Sequence, residues 1–147
     1  MLDENVYIFA LASEGSTDAE HLVAAKFVRC LQLQHRWVIS SAVLSQYKHH
    51  FGTRRLPKGG VASELMVSLD DVLHDAARHV WLHNPAVIPG SYEDRDQHMV
   101  SAAAEASQSV LVTSDVPLTL SIKADQLDAM KDFSVVNPRE ALRVLCE

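Results

Sequence analysis

The sequence predicts an α/β fold, a sandwich of helices against a mainly parallel sheet. Three observations point that way. Over the second half, short β-branched runs alternate with longer helical stretches, the pattern of βαβ units. Hydrophobic residues make up 48% of the 147 positions and charged residues 22%, the balance of one soluble globular domain covering 1–147. A chain of this length hides roughly 68–70% of its extended surface on folding, enough for a core without a disulfide framework.

The elements follow in order. Residues 5–11 (NVYIFAL) form an apolar run, either a buried strand or the start of a helix, and seven residues leave both open. Ser16 or Thr17 can cap a helix running to about Gln34, with Leu22, Ala25, Phe27, Val28 and Leu31 as its buried stripe. Trp37–Ser40 is extended, and a helix over 41–50 buries Val43, Leu44 and Tyr47. Residues 51–60 (FGTRRLPKGG) read as a basic loop broken by three glycines and a proline. Ser63 then caps a helix through Leu65, Leu69 and Leu73, and His79–Leu82 reads as a strand. Residues 84–90 are a loop, and Asp96 opens an alanine-rich helix to about Ser107. Residues 110–112 form a strand, helical residues surround 124–130, and Phe133–Val136 is the last strand. Pro138 starts the final helix, a position proline tolerates.

Charge is unevenly spread. Residues 1–20 carry five acids and no Lys or Arg, residues 21–63 carry seven bases and no acid, and the remainder carries fourteen acids and six bases. The basic stretch is either a solubilising face or a rim for a polyanion. Cys30 and Cys146 stand far apart with no CxxC spacing, so neither a thiol zinc site nor a redox pair is expected. No apolar run approaches the ~20 residues that span a bilayer, and the N-terminus has acids where a signal peptide needs bases. A reducing, cytoplasmic setting with no membrane is the expectation.

Ligands of parallel sheets bind at the carboxyl ends of the strands. Thr113-Ser114-Asp115 follows the 110–112 strand, and the preceding loop delivers Glu93, Asp94 and Asp96 to the same edge. Taken singly, Asp96 reads as a helix cap and Asp115 as a turn residue. Together with Asp3 they would repel one another unless a cation such as Mg²⁺ or Mn²⁺ sat between them.

These residues resemble the PIN-domain family. Asp96-Gln97-His98-Met99-Val100-Ser101-Ala102-Ala103, followed by Val110-Leu111-Val112-Thr113-Ser114-Asp115, is similar to the second half of that fold. Phe133 to Leu142 resembles its closing strand and last helix, Asp3-Glu4-Asn5 its opening motif, and Ser41 to Tyr47 its second motif. The resemblance implies a three-layer α/β/α sandwich with a central mainly parallel sheet. It also implies a metal-dependent ribonuclease that hydrolyses RNA phosphodiester bonds. Asp3, Asp96 and Asp115 would hold Mg²⁺ or Mn²⁺, directly or through water. The metal would lower the pKa of a bound water and stabilise charge on the attacked phosphate. Thr113 and Ser114 would orient that water or a phosphate. Lys48, Arg54, Arg55 and Lys58 would hold the RNA backbone by charge. The small size resembles the toxin members (VapC-like) of toxin–antitoxin pairs, implying a homodimer and an antitoxin partner.

Two departures stand out. Gln46 fills the place where the family carries a glutamate, so weaker metal binding follows, or recruitment of Glu93 or Asp94. Only Met1 and Leu2 precede Asp3 where the family has a full strand, so that strand is clipped or the start lies upstream. The alternative function is therefore a degenerate PIN-like module that binds RNA or protein without catalysis. Among the eight histidines, His79 and His83 are four apart but on a strand, too far apart for one ion, and His49 and His50 border the basic loop. No Gly-x-Ser-x-Gly elbow or phosphate-binding glycine loop is present. Trp37 and Trp81 read as core residues.

Overall fold

The structure, a computed structural model, describes residues 1–53 and 60–147, with the backbone alone for 50–53. It is a mixed α/β fold. Its helices are α1 (Glu4–Leu11), α2 (Ala19–Gln34), α3 (Ser41–Thr53), α4 (Gly60–His74), α5 (Gln97–Glu105), α6 (Val116–Ala124), α7 (Leu127–Lys131) and α8 (Pro138–Leu145). The strands are β1 (Trp37–Ser40), β2 (His79–Leu82), β3 (Ser109–Val112) and β4 (Phe133–Val136).

Among the described residues the strands form two short parallel ladders, β1 with β2 and β3 with β4. Parallel pairing requires a crossover, which α3 and α4 supply for the first pair and α6 and α7 for the second. The N-terminal residues extend the second ladder. Leu2 bridges Val112 in parallel, with the Val112 amide donating to the Met1 carbonyl at 3.0 Å and the Asp3 amide to the Val112 carbonyl at 2.9 Å.

The run over 5–11 is a helix, because Asp3 caps it by accepting from the Asn5 amide at 3.0 Å. Helix α2 starts later than a cap at Ser16 or Thr17 would place it. Asp18 is its cap, accepting from the Glu20 amide at 2.8 Å, while Ser16 instead accepts from the Asp18 amide. Helix α3 continues to Thr53, past the expected end near His50. Helix α4 begins at Gly60, not Ser63, because a distant carboxylate replaces the local cap: Glu14 accepts from the Val61 amide at 3.1 Å. Gly60 has φ +68°, and a Cβ there would lie 1.9 Å from the Glu14 carboxylate. The stretch after β3 holds two helices rather than one around 124–130. Asp115 starts the first, accepting from the Leu118 amide at 2.9 Å.

The core gathers around the N-terminal segment. Leu2, Val6, Tyr7, Ile39, Val43 and Leu111 are fully buried, each aliphatic one contributing about 1.5–3 kcal/mol. Trp37 packs with Tyr7 and Tyr47 at ring-centroid distances of 5.8 and 6.3 Å, as expected for a core tryptophan. Trp81, by contrast, is half-buried and packs against the core from outside. The cysteines overturn one expectation. Cys30 and Cys146 form a disulfide closing 116 residues, because α8 packs on α2 and brings the two together. Sequence separation does not forbid a pair that the fold juxtaposes. Among the described residues, no helix is long and apolar enough to cross a membrane.

Candidate functional site

Parallel pairing of Leu2 with Val112 sends the next residue of each segment, Asp3 and Thr113, out of the same sheet edge. Thr113 is buried, and its hydroxyl donates to Asp3 Oδ2 at 2.5 Å and accepts from the Asp115 amide at 2.9 Å. The single hydroxyl proton is committed to Asp3, so Thr113 acts here as a strut between two acids.

Asp96 reaches this edge from a 3-10 turn, Asp94–Asp96, that leads into α5. Helix α5 packs on β1 and β3 through buried Met99, Val100, Ala102 and Ala103, which fixes where its first turn points. Asp96 is 7% exposed and, contrary to a capping role, makes no side-chain cap bond. Burial first, then repulsion from Asp115, Asp3 and Glu93, pushes its carboxyl up to about 6, with Arg95 opposing. Asp3 is likewise pushed up by burial, with Thr113 and Asn5 opposing and Glu4 and Asp115 adding to the rise. Each of these two acids thus feels the charge of Asp115, so the three acids share one electrostatic neighbourhood.

Gln46, on α3, donates from Nε2 to the Arg95 carbonyl at 3.2 Å, which ties it to the turn bearing Asp96. That bond fixes the amide orientation and leaves Oε1 buried with no hydrogen-bond partner. Glu93 and Asp94 are exposed. Glu93 pairs with Arg95 Nε at 2.9 Å, and Asp94 accepts from Gln97 Nε2 at 3.0 Å. Ser114 departs from the group, lining a cavity of about 290 Å³ with Glu20, Asn137 and Arg139 and none of the three acids. Lys48 is exposed on α3, while Arg54, Arg55 and Lys58 lie outside the described residues.

Two participants lie outside the candidate residues named from the sequence. Arg95 stands between them, its guanidinium 3.9 Å from Asp96 Oδ1 and 3.9 Å from Asp115 Oδ2. Its position inside Asp94-Arg95-Asp96 was the available signal. Glu4 adds its charge beside Asp3, as adjacency in sequence would suggest. The carboxylates are spread rather than tightly clustered. Among the described residues, only Cys30, His35 and Cys146 bring three such ligand atoms within 4.8 Å of one another.

Comparison with family models, with curated proteins and with solved structures finds no match to this chain.

Proposed function

We propose that this chain is a divalent-metal-dependent ribonuclease of the PIN type, hydrolysing RNA phosphodiester bonds at the edge shared by Asp3, Asp96 and Asp115. The observation that carries the reading is the convergence of three acids from positions 3, 96 and 115, two of them held above the ordinary carboxylate range by burial and mutual repulsion. A hard cation relieves that repulsion. The donor set suits Mg²⁺ or Mn²⁺, because carboxylate oxygens are joined by the unpartnered amide oxygen of Gln46. Since the three carboxylates do not close to 4.8 Å, one or two would ligate directly and the rest through water, as such ions commonly allow.

When bound, the cation lowers the pKa of a water and offsets charge on the attacked phosphate. The chain's own residues hold the arrangement. Thr113 and the Asn5 amide orient Asp3, and the Leu118 amide orients Asp115. Lys48, with Arg54, Arg55 and Lys58, supplies charge for the RNA backbone. The three-layer α/β/α sandwich with a central sheet, a toxin role with an antitoxin partner, homodimerisation and a cytoplasmic setting belong to the same proposal.

One observation favours a second reading. Arg95 places the chain's own, largely exposed cation 3.9 Å from both Asp96 and Asp115, and Gln46 brings no charge. A PIN-like module of that kind binds RNA or protein without cleaving it.

Calorimetric titration of Mn²⁺ into the EDTA-stripped chain and its Asp96→Asn variant separates the two, beside a cleavage assay on RNA with Mg²⁺ or Mn²⁺. Saturable binding and cleavage, both lost in the variant, support the nuclease. RNA binding without Mn²⁺ binding or cleavage, even with a short RNA present in the titration, supports the module.

A further inference from the structure

Far from the acidic edge in sequence, the ends of α2 and α8 bring together Cys30, His35 and Cys146. His35 is the C-cap of α2 and Cys146 the C-cap of α8. Their ligand atoms and that of Cys30 all lie within 4.8 Å of one another. A tetrahedral zinc with Zn–S of about 2.3 Å and Zn–N of about 2.0–2.1 Å needs ligand separations of about 3.5–3.8 Å, so side-chain rotation suffices to reach it. The two cysteine Cα atoms, 6.1 Å apart, accommodate that spacing without a backbone shift.

The histidine is also set for the task. His35 Nε2 lies 2.8 Å from the Leu145 carbonyl oxygen. A carbonyl only accepts, so Nε2 carries the proton, and in the neutral ring Nδ1 has the lone pair. A backbone carbonyl holding one ring N–H is the usual support of a metal-binding histidine.

Paired as a disulfide, the sulfurs are no thiolates and ligate nothing. We infer that the reduced chain binds Zn²⁺ through Cys30, His35 and Cys146, with a fourth position open to water or an external ligand. Opening the pair takes two electrons and two protons from a thiol such as glutathione, two molecules of which leave as their own disulfide. Zn²⁺ then displaces both cysteine thiol protons. Cys30 is buried while His35 and Cys146 are half-buried, so the cluster has a solvent-facing side. Either state ties α8 to α2, by a disulfide under oxidising conditions and by zinc under reducing ones.

The test uses the full chain, reduced with a phosphine, freed of metal and titrated with Co²⁺ and then Zn²⁺. One equivalent of Co²⁺ should give thiolate-to-metal absorption and tetrahedral d–d bands, which Zn²⁺ displaces. Cys146→Ser, which leaves Cys30 as the one thiolate, should cut the band to about half or less. His35→Ala should weaken binding by at least about 10-fold. Asp96→Asn should leave the spectrum unchanged, which separates this site from the acidic edge, and the oxidised chain should show no band. Absence of the band in the reduced chain, or full affinity in His35→Ala, overturns the inference. So does a loss of helicity on reduction that Zn²⁺ does not restore.

Discussion

Thr113 Oγ1 joins two acids that lie 112 positions apart: it donates to Asp3 Oδ2 and accepts from the Asp115 amide. Both bonds are available because Leu2 pairs in parallel with Val112, so Asp3 and Thr113 leave the ladder side by side. The register thus sets the Thr113 hydroxyl where it meets both acids.

Thr113→Val keeps the volume and removes the hydroxyl. A buried carboxylate and a backbone amide each lose a partner, so the loss should be about 1–3 kcal/mol by denaturant titration. Thr113→Ser should recover most of it. Equal midpoints for the valine variant and the parent would show that the strut contributes nothing.

The raised Asp96 carboxyl sets a pH dependence. Its folded pKa, about 6, lies above the ordinary 3.8, so the native state holds this proton more tightly than the unfolded chain. The penalty for ionising it is full above about pH 6 and is relieved as pH falls towards about 4. Asp96→Asn should therefore stabilise the metal-free chain at pH 7.5 by up to about 3 kcal/mol, the gain fading near pH 4. Thermal unfolding across that range checks it, and a destabilised variant at pH 7.5 would contradict it.

Arg95 opposes the rise at Asp96 and stands between that acid and Asp115. Arg95→Gln should raise the Asp96 carboxyl above about 6, read by carboxyl NMR titration. It should also tighten Mn²⁺ binding about 10-fold at low salt, with less effect as ionic strength rises. Gln46→Glu adds a charge and should tighten Mn²⁺ binding further. It removes the donor to the Arg95 carbonyl, so the metal-free variant should lose about 1 kcal/mol. Unchanged affinity in both would mean that neither side chain faces the ion.

Gly60 combines a left-handed backbone with a Cβ position already filled by Glu14. Gly60→Ala should destabilise by about 1–3 kcal/mol, as strain at a special φ does. In a Glu14→Ala background the cost should drop towards about 1 kcal/mol, since only the backbone penalty remains. The same cost in both backgrounds would place the whole effect in the backbone.

The four strands among the described residues were legible in sequence within a residue or so, because each is a β-branched or aromatic run next to a clear helix signal. Pro138 marked the start of the last helix, and the structure begins α8 there, adding a cap in which Asn137 accepts from the Glu140 amide at 2.9 Å. Local chemistry was enough at these points. It failed where the deciding partner was distant in sequence. The start of α4 depends on Glu14, 47 positions from Val61, so Ser63 looked like the cap. Cys30 and Cys146 looked unrelated because nothing local relates them.

The acids illustrate the same division. From the sequence alone came the candidate acids Asp3, Asp96 and Asp115 and the alternation of strands and helices that places such residues at one edge. Only the tertiary structure decided that Thr113 would brace Asp3 and Asp115, that Ser114 would line a cavity apart from the three acids, and that Arg95 would stand among the carboxylates. Residue type and spacing are properties of the chain, whereas the pKa, partner and reach of a charged group depend on what long-range packing places within a few ångströms of it.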